Sequence, residues 1–433
     1  MTRSLVLVRH GKARLAEEGQ ADLQRPLTSA GKHSLAASLP AELAPVRHLV
    51  EEGADVVVWA SPALRACQTA DIVCATLGVD GYEKHDILAG SDPAAMFLQA
   101  QEDPHKLIVL VGHTPTLDKI SQASCGTRMP FKPGAVCMLS LDNAPGRPEN
   151  LRYFAQGPQV ERWECADELA CAIRKTGSAV TSCYHAFVDD PSDADAVHDL
   201  RISIRTLRSL LIFAEPWIKG KHAAKVEEKL RDLVRSTSDL REYDVLADVI
   251  AALDPAAHEL AEACATMRAE EAERVLDFFA TQKSQKAIGD LQDLTKHLPW
   301  KGQVKASGIE PEALAERYRS LWEAFAERCR TLDLKDTELT HDIRKDAKLL
   351  RYVTRALPDL LGDTAAQVGA EARAVQDRLG ELCDARANVQ IANGIPVERL
   401  SAAAAAELVR LRAQERARID VLLATPVEEP TGL

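Results

Sequence analysis

The sequence predicts a two-domain protein, with an α/β domain at the N-terminus and an all-α domain after it. The chain has 433 residues, more than a single hydrophobic core usually serves. Short apolar runs alternate with helical segments over residues 1–157, which indicates a three-layer fold with helices on both faces of a sheet. Residues 160–430 are almost wholly helical in pattern and contain an internal duplication, with halves at about 160–300 and 308–430.

The composition is that of an ordinary globular protein, with 46% hydrophobic and 27% charged residues. A formal net charge of −12 argues against a general nucleic-acid binder but leaves room for a local basic groove. Ten cysteines without a Cys-x-x-Cys pair predict reduced thiols, and neither a zinc site nor a disulfide framework. We find no signal-peptide pattern and no apolar run of membrane length, so we expect a cytoplasmic protein with no membrane partner.

The α/β domain has strand-like runs separated by helical segments. The predicted strands are Ser4–Val8, Asp55–Ala60, Leu107–Val111, Ala135–Leu141 and Leu151–Phe154. The predicted helices are Ser29–Leu39, Pro62–Leu77, Pro93–Gln101 and Thr116–Ser124.

The first strand ends abruptly at Arg9-His10-Gly11. Ligands bind at the carboxyl ends of strands in open α/β sheets. An arginine supplies forked donors for phosphate oxygens, and an imidazole can attack phosphorus. A glycine there allows the backbone to approach a ligand closely. By itself the tripeptide is weak support for a site, because an ordinary strand end with two solvated polar residues has the same sequence.

Three further segments supply candidate partners for this strand end. Ser61-Pro62 predicts a helix start, which puts Arg65 about one turn into a helix and near its electropositive end. Val111-Gly112-His113 repeats the design of the first strand end. Arg25 precedes a helix that Thr28 or Ser29 caps.

These segments together resemble the histidine phosphatase superfamily, and in particular its small SixA-like phosphohistidine phosphatase branch, over about the first 157 residues. The elements Leu-Val-Arg-His-Gly, Arg-Pro-Leu-Thr, Ser-Pro-Ala-x-Arg-Ala-x-Gln-Thr-Ala and Val-Gly-His occur in family order. The resemblance implies that His10 is a nucleophile that accepts a phosphoryl group, while Arg9, Arg65 and His113 hold its oxygens. Arg25 is a plausible further substrate contact. Such chemistry needs positioning and positive donors, so we expect no metal and no cofactor.

A carboxylate that could protonate the leaving group is not evident in the sequence. The segment Tyr82–Pro93 offers Glu83, Asp86 and Asp92, and none is convincingly placed. A missing acid suits leaving groups that depart easily, such as the imidazole of phosphohistidine or a polyphosphate chain.

The helical part carries a cationic helix face that occurs twice. About 100° per residue places one set of cations on a single face, with apolar residues beside it: His198, Arg201, Arg205 and Arg208. The same offsets recur in the second half, where Lys345 is an additional cation: His341, Arg344, Lys345, Lys348 and Arg351. A second element, Ser238–Val245, recurs as Leu379–Val389. Two halves packed about a pseudo-dyad would face each other across one cationic cleft.

Residues 160–430 thereby resemble the conserved histidine α-helical domain, CHAD. The resemblance implies two helical-bundle halves and the binding of inorganic polyphosphate by the cations of both helices, with Arg241 as a weaker contact and Tyr352 as a neighbour. Three residues depart from the family pattern and make its outer contacts less certain: Ser238, Glu242 and Cys383. Stacking aromatics are nearly absent from the basic helices, so a nucleic-acid partner is not expected.

The sequence therefore predicts a metal-independent phosphatase acting through a phosphohistidine intermediate, coupled to polyphosphate binding. Its substrate is either polyphosphate or a phosphohistidine-bearing protein, and association with polyphosphate granules follows from the predicted ligand. The alternative is a non-catalytic polyphosphate-binding scaffold with a vestigial phosphatase fold.

Overall fold

The computed structural model describes residues 3–17, 19–88, 93–427 and 430–431. The chain forms two compact units, one of Met1–Asp167 with Gly302–Glu310 and one of Glu168–Lys301 with Pro311–Leu433. This division assigns the segment 302–310 to the first unit, whereas the sequence suggested that it belongs to the helical domain.

The first unit contains a sheet whose described residues form six strands in the order β3-β2-β4-β1-β5-β6. The strands are β1 (Ser4–Arg9), β2 (Val56–Ala60), β3 (Glu83–Lys84), β4 (Leu107–Gly112), β5 (Val136–Ser140) and β6 (Leu151–Ala155). Strands β1 to β4 are mutually parallel, β5 pairs antiparallel with β1, and β6 pairs antiparallel with β5. Five of the six match predicted strands to within one residue at each end. The sixth, β3, has only two residues, both exposed, and shows no apolar pattern.

The continuous apolar run of β1 is explained by burial on both faces of the sheet. Val6 and Val8 pack in one core with residues of the helices that follow β1 and β2. Leu5 and Leu7 pack in a second core on the opposite face. All four side chains are fully buried. The α/β fold class with three layers is therefore confirmed.

The helices of the first unit lie on these two faces. They are α1 (Ser29–Glu42), α2 (Ala44–Glu51), α3 (Leu64–Leu77), α4 (Pro93–Glu102) and α5 (Thr116–Cys125). Thr28, and not Ser29, caps α1, since its hydroxyl accepts a hydrogen bond from the Gly31 amide at 2.9 Å. Helix α3 begins at Leu64 because Ala63 is still extended, so Arg65 is its second residue and not one turn inside.

The second unit is helical, as predicted. Counting along the described chain, its helices and the short helix of segment 302–310 are α6 (Glu161–Asp189), α7 (Ala194–Ala214), α8 (Gly220–Ser236), α9 (Ser238–Ala251), α10 (His258–Phe279), α11 (Gln282–Lys296), α12 (Gly302–Ser307), α13 (Pro311–Arg330), α14 (Thr337–Ala356), α15 (Pro358–Gly394) and α16 (Ala402–Ala424). Over the parts of the chain that are described, none of these helices has the length and apolar character to cross a membrane.

The two basic segments are α7 and α14, and these helices pack against each other. The element that follows each of them differs between the halves. After α7, the helices α8 and α9 are separated at Thr237, and Ser238 begins α9. After α14, the matching sequence Leu379–Val389 lies inside the single long helix α15.

Candidate functional site

The ends of two neighbouring strands and the start of one helix form the candidate site of the first unit. In the β1–β4 ladder Arg9 pairs with Gly112, so His10 and His113 follow directly at the same edge of the sheet. Arg65 reaches this edge from the start of α3. A cavity of about 400 Å³ lies here, lined by Arg9, His10, Asp22, Leu23, Arg25, Arg65, His113 and Thr114. The structure therefore brings together the five side chains that the sequence singled out.

The main-chain carbonyl group of the next residue, Gly11, orients the His10 ring. Its Nδ1 lies 2.7 Å from the carbonyl oxygen of Gly11, so Nδ1 carries the proton and donates it there. Its Nε2 then has a free electron pair, which accepts a hydrogen bond from Arg65 Nε at 3.2 Å. Burial lowers the pKa of His10 to about 4, with a further contribution from the nearby cations Arg65 and Arg9. The imidazole is therefore neutral at physiological pH, the form in which an imidazole can act as a nucleophile.

Arg9 and His113 line the cavity, and each has one buried nitrogen without a hydrogen-bond partner among the described residues. Arg9 uses one Nη to donate to the carbonyl oxygen of Phe131 at 2.6 Å. Its Nε and the Nδ1 of His113 are buried and, among the described residues, accept or donate no hydrogen bond. Burial, followed by the positive charge of Arg65, lowers the pKa of His113. Both side chains line the cavity beside Arg65, so they are placed to hold an oxyanion there.

The sequence analysis missed Asp22, whose carboxylate lies among the arginines. Its Oδ2 accepts from Arg65 Nη2 at 2.7 Å, and its main-chain oxygen accepts from Arg65 Nη1 at 2.6 Å. Its Oδ1 accepts from Arg25 Nη1 at 2.7 Å. The hydrogen bonds from Arg25 and Arg65 hold the pKa of Asp22 below its usual value. The only sequence signal was an acidic residue three positions before Arg25, in a segment without periodicity.

The carboxylates suggested as leaving-group acids are elsewhere. Glu83 lies on β3 and contacts His85 at 3.2 Å, and Asp86 begins a 3₁₀ turn; neither lines the cavity. Asp92 lies outside the described residues. In the segments that the structure describes, no cluster of three or more His, Cys, Asp or Glu side chains is placed to hold a metal ion.

Gly11 is required for a different reason from the one expected. A Cβ at this position would come within 2.6 Å of the Leu35 Cδ1 atom and 3.3 Å of the Gly31 carbonyl oxygen. Its amide also donates to the Thr69 hydroxyl at 3.2 Å. The glycine permits close packing of the strand end against α1, and that packing fixes the carbonyl group that orients His10.

The second unit brings together a group of cations from α7, α9 and α14, which we call the cationic cleft: Arg205, Arg241, Arg344 and Lys348. Burial lowers the pKa of Arg205. The positive charges of Arg344 and Arg241 lower this pKa further, whereas Tyr352 raises it. Burial also lowers the pKa of Lys348 to about 7, and Arg344 and Arg205 contribute to this shift. The two duplicated helices thus supply cations to one place, and the cations are close enough to repel one another.

Two histidines and Arg201 lie beside the cationic cleft. Burial lowers the pKa of His198, with Arg241 as the next cause, and burial followed by Lys345 lowers that of His341. Arg201 donates to the carbonyl oxygen of Val234 at 2.8 Å, and burial lowers its pKa to about 10.

The other cations that the sequence analysis assigned to polyphosphate form ion pairs or hydrogen bonds with protein side chains. Arg208 pairs with Glu227 on α8 at 3.1 Å. Arg351 donates to the side chain of Gln376 at 3.0 Å. Lys345 is 62% exposed and pairs with Asp342 at 3.0 Å. Arg344 is paired as well, with Asp384 at 3.0 Å, but it also faces Lys348 and Arg205.

The residues that depart from the expected CHAD pattern lie around the cleft. Burial raises the pKa of the Cys383 thiol, and Arg344, Arg386 and Lys348 are near enough to oppose that shift. Burial and then the charge of Asp239 raise the pKa of Glu242.

Comparisons with known proteins match each unit separately. The sequence model of the CHAD domain matches residues 172–392, and that of the histidine phosphatase superfamily (branch 1) matches residues 5–89. The SixA structure from Agrobacterium tumefaciens is 23% identical and covers 35% of this chain and 97% of its own, with a TM-score of 0.29. The CHAD domain structure from the plant Ricinus communis is 15% identical and covers 62% of this chain and 94% of its own, with a TM-score of 0.49. PptA from Streptomyces chartreusis is 15% identical and covers 60% and 96%, with a TM-score of 0.46. The search of curated proteins found no match.

Proposed function

The chain belongs to the CHAD domain family and carries a histidine phosphatase superfamily (branch 1) domain, and from these two memberships we propose that it is a phosphatase acting through a phosphohistidine at His10 and binding inorganic polyphosphate in the cationic cleft. The observation that carries the catalytic part is the state of His10. Its proton is held on Nδ1 by the Gly11 carbonyl oxygen at 2.7 Å, so its Nε2 is unprotonated. Nε2 accepts a hydrogen bond from Arg65 Nε at 3.2 Å beside the cavity, and this contact gives way when Nε2 bonds to phosphorus.

In the first step His10 Nε2 forms a bond to phosphorus, and the bond between phosphorus and the leaving group breaks. The leaving group keeps the electron pair and takes a proton from solvent. Arg9, Arg65 and His113 hold the phosphoryl oxygens, whose charge is redistributed in the transition state. Donors fixed in advance around such a group supply most of the catalysis in phosphoryl transfer.

In the second step water attacks the phosphorus of phospho-His10. The bond between phosphorus and Nε2 breaks, inorganic phosphate leaves, and neutral His10 is restored. The proton stays on His10 Nδ1 and is donated to the Gly11 carbonyl oxygen throughout, so the ring keeps its orientation between the two steps.

Two substrate classes fit a site with no evident leaving-group acid. One is an N-phosphoryl group, as in a phosphohistidine-bearing protein. The other is the end of a polyphosphate chain. Both release their leaving groups more easily than an alkyl phosphate does.

The cationic cleft supports polyphosphate as the ligand of the second unit. Half-buried cations without an equal number of acids form a site for a polyanion, which is held by many cation contacts and releases counterions on binding. The chain has a formal net charge of −12, so the positive charge of the cationic cleft is a local feature and not a property of the whole surface. Accumulation at polyphosphate granules in cells follows from this part of the proposal.

The deciding experiment compares the wild-type chain with His10→Ala and with a matched control, His48→Ala, whose imidazole is exposed on α2 and pairs with Glu52. Free phosphate released from long-chain polyphosphate is measured together with acid-labile phosphohistidine on the protein. Release that disappears only in His10→Ala makes polyphosphate a substrate. Phosphohistidine formed from an N-phosphoryl donor, without release from polyphosphate, makes polyphosphate a ligand only.

The absence of phosphohistidine with every donor would contradict the enzymatic proposal. A chain that then still binds polyphosphate would fit the alternative, a non-catalytic scaffold.

A further inference from the structure

Asp22 lies at the mouth of the candidate active site, in the 3₁₀ turn Asp22–Gln24. Its side chain is 61% exposed, yet both carboxylate oxygens are held, one by Arg65 and one by Arg25. Arg25 is itself held in place, because its Nε donates to the carbonyl oxygen of Arg14 at 2.7 Å. The carboxylate is therefore a fixed negative charge beside a site built for an anion.

A single guanidinium separates this charge from the nucleophile. Arg65 donates from Nε to His10 Nε2 at 3.2 Å and from Nη2 to Asp22 Oδ2 at 2.7 Å. Asp22 lines the same cavity as His10 and is largely exposed, so it lies on the solvent side of that cavity. A leaving group that departs from phosphorus on the side away from His10 Nε2, toward solvent, would pass this carboxylate.

The two substrate classes differ in that charge. When a phosphorus–nitrogen bond is broken, the departing imidazole or amine is neutral or protonated. When a polyphosphate end is cleaved, the departing group is a phosphate chain with negative charge on every unit. A like charge a few ångströms away in a partly solvated site changes a rate by about tenfold.

Resting on the phosphatase function proposed above, we infer that Asp22 is a specificity-determining residue, which selects N-phosphoryl donors with neutral or cationic leaving groups and disfavours donors whose leaving group is a further phosphate. In the favoured reaction His10 Nε2 bonds to phosphorus while the phosphorus–nitrogen bond breaks. The nitrogen keeps the electron pair and leaves protonated, having taken its proton from solvent.

The test compares two small donors in the full-length chain. Phosphoramidate releases ammonia when its phosphoryl group is transferred to His10, and tripolyphosphate releases a pyrophosphate anion when its terminal phosphoryl group is transferred. The variant Asp22→Asn removes the charge but keeps an oxygen that accepts from Arg65 or Arg25. We expect the ratio of kcat/KM for phosphoramidate to that for tripolyphosphate to fall about tenfold in Asp22→Asn. Asp22→Glu, which keeps the charge, should retain the wild-type preference for phosphoramidate.

Two controls separate this effect from others. Glu17→Gln removes an exposed charge from the same loop and should leave the ratio unchanged. All variants are also measured in an Arg205→Gln/Lys348→Gln background, so that capture of tripolyphosphate by the second unit does not enter the ratio. If Asp22 only held Arg65 in place, its replacement would slow both donors equally, and the ratio would stay constant.

The outcomes are distinct. Turnover that His10→Ala abolishes, with an unchanged ratio in Asp22→Asn, overturns the role of Asp22 and leaves the proposed function standing. No transfer from either donor by the wild-type chain overturns both.

Discussion

Arg65 Nε donates a hydrogen bond to the Nε2 atom of His10 at 3.2 Å, so a permanent cation contacts the nitrogen that is proposed to attack phosphorus. This contact opposes protonation of His10, because a second positive charge at Nε2 would lie against the guanidinium. It also aligns the imidazole with a group that can bind a phosphoryl oxygen. The same arginine therefore serves the nucleophile before the reaction and the transferred group during it.

The first prediction concerns the pH dependence of phosphoryl transfer to His10. Burial and the neighbouring cations lower the pKa of His10 to about 4. The neutral ring is the nucleophile, so the protonated fraction stays small until the pH falls close to that value. We expect the rate of phosphohistidine formation, measured by rapid alkaline quench with labelled donor, to decline only as the pH approaches about 4. An inflection near pH 6.5, the ordinary value for histidine, would contradict this. Circular dichroism over the same pH range controls for unfolding.

The second prediction concerns the packing of Gly11. In Gly11→Ala the new Cβ would come within 2.6 Å of Leu35 Cδ1, and Leu35 is fully buried. We expect a loss of about 1–3 kcal/mol in the free energy of unfolding, measured by urea titration. The double variant Gly11→Ala/Leu35→Ala should lose less free energy of unfolding than the sum of the two single variants, because removal of the Leu35 side chain removes the clash.

The matched control for this change is Gly81→Ala. No described atom lies within 4 Å of the position of its Cβ, so we expect a change within about 0.5 kcal/mol. Equal stabilities for Gly11→Ala and Gly81→Ala would show that the strand end adapts to the extra carbon.

The third prediction separates two arginines of the same helix. Arg205 faces the cations of α14, whereas Arg208, one turn further on, pairs with Glu227. We expect Arg205→Gln to weaken polyphosphate binding by about tenfold or more at low salt and to reduce the slope of log affinity against log salt by about one. Arg208→Gln should leave both within experimental error, and titration calorimetry on the full chain measures both. Equal losses in the two variants would mean that the ligand follows the whole helix face.

The fourth prediction concerns Lys348, whose pKa burial and the cations Arg344 and Arg205 lower to about 7. Asp384 and Cys383, which also face it, act in the opposite sense. A bound polyanion favours the charged amine, so binding takes up a proton, and affinity for long-chain polyphosphate should fall as the pH rises through about 7. Lys348→Gln should lose this pH dependence.

The control for Lys348 is Lys335→Gln, which removes an exposed lysine. It should keep the wild-type pH profile. A Lys348→Gln variant whose affinity still changes through pH 7 would assign the titration to another group.

Much of the candidate active site was predictable, because most of its arginines and histidines lie at the ends of strands or at the start of a helix. Alternation of apolar runs and helical segments places Arg9, His10 and His113 at one edge of a parallel sheet, whatever the details of the loops. Arg65 was predicted for the same reason, although its helix starts two residues later than expected. Helical periodicity likewise grouped the cations of α7 and α14.

Asp22 was not predictable, because its contacts span irregular chain. It meets Arg65 across 43 residues of sequence, and no periodicity fixes how a loop returns to a sheet edge. The partners of Arg208 and Arg351 were missed for a related reason. A helix-face pattern shows which side chains share a face, but it does not show which acids or amides of neighbouring helices come to meet them.

The register of β1 against β4 has a consequence for identifying the natural phosphoryl donor. The backbone ladder that pairs Arg9 with Gly112 sets the position of both histidines, and it does not depend on the His10 side chain. A chain without the His10 imidazole should therefore keep its sheet, its cavity and the arginines that line the cavity. Under the proposed function such a chain would be a substrate trap, which binds a phosphorylated molecule and does not convert it to products.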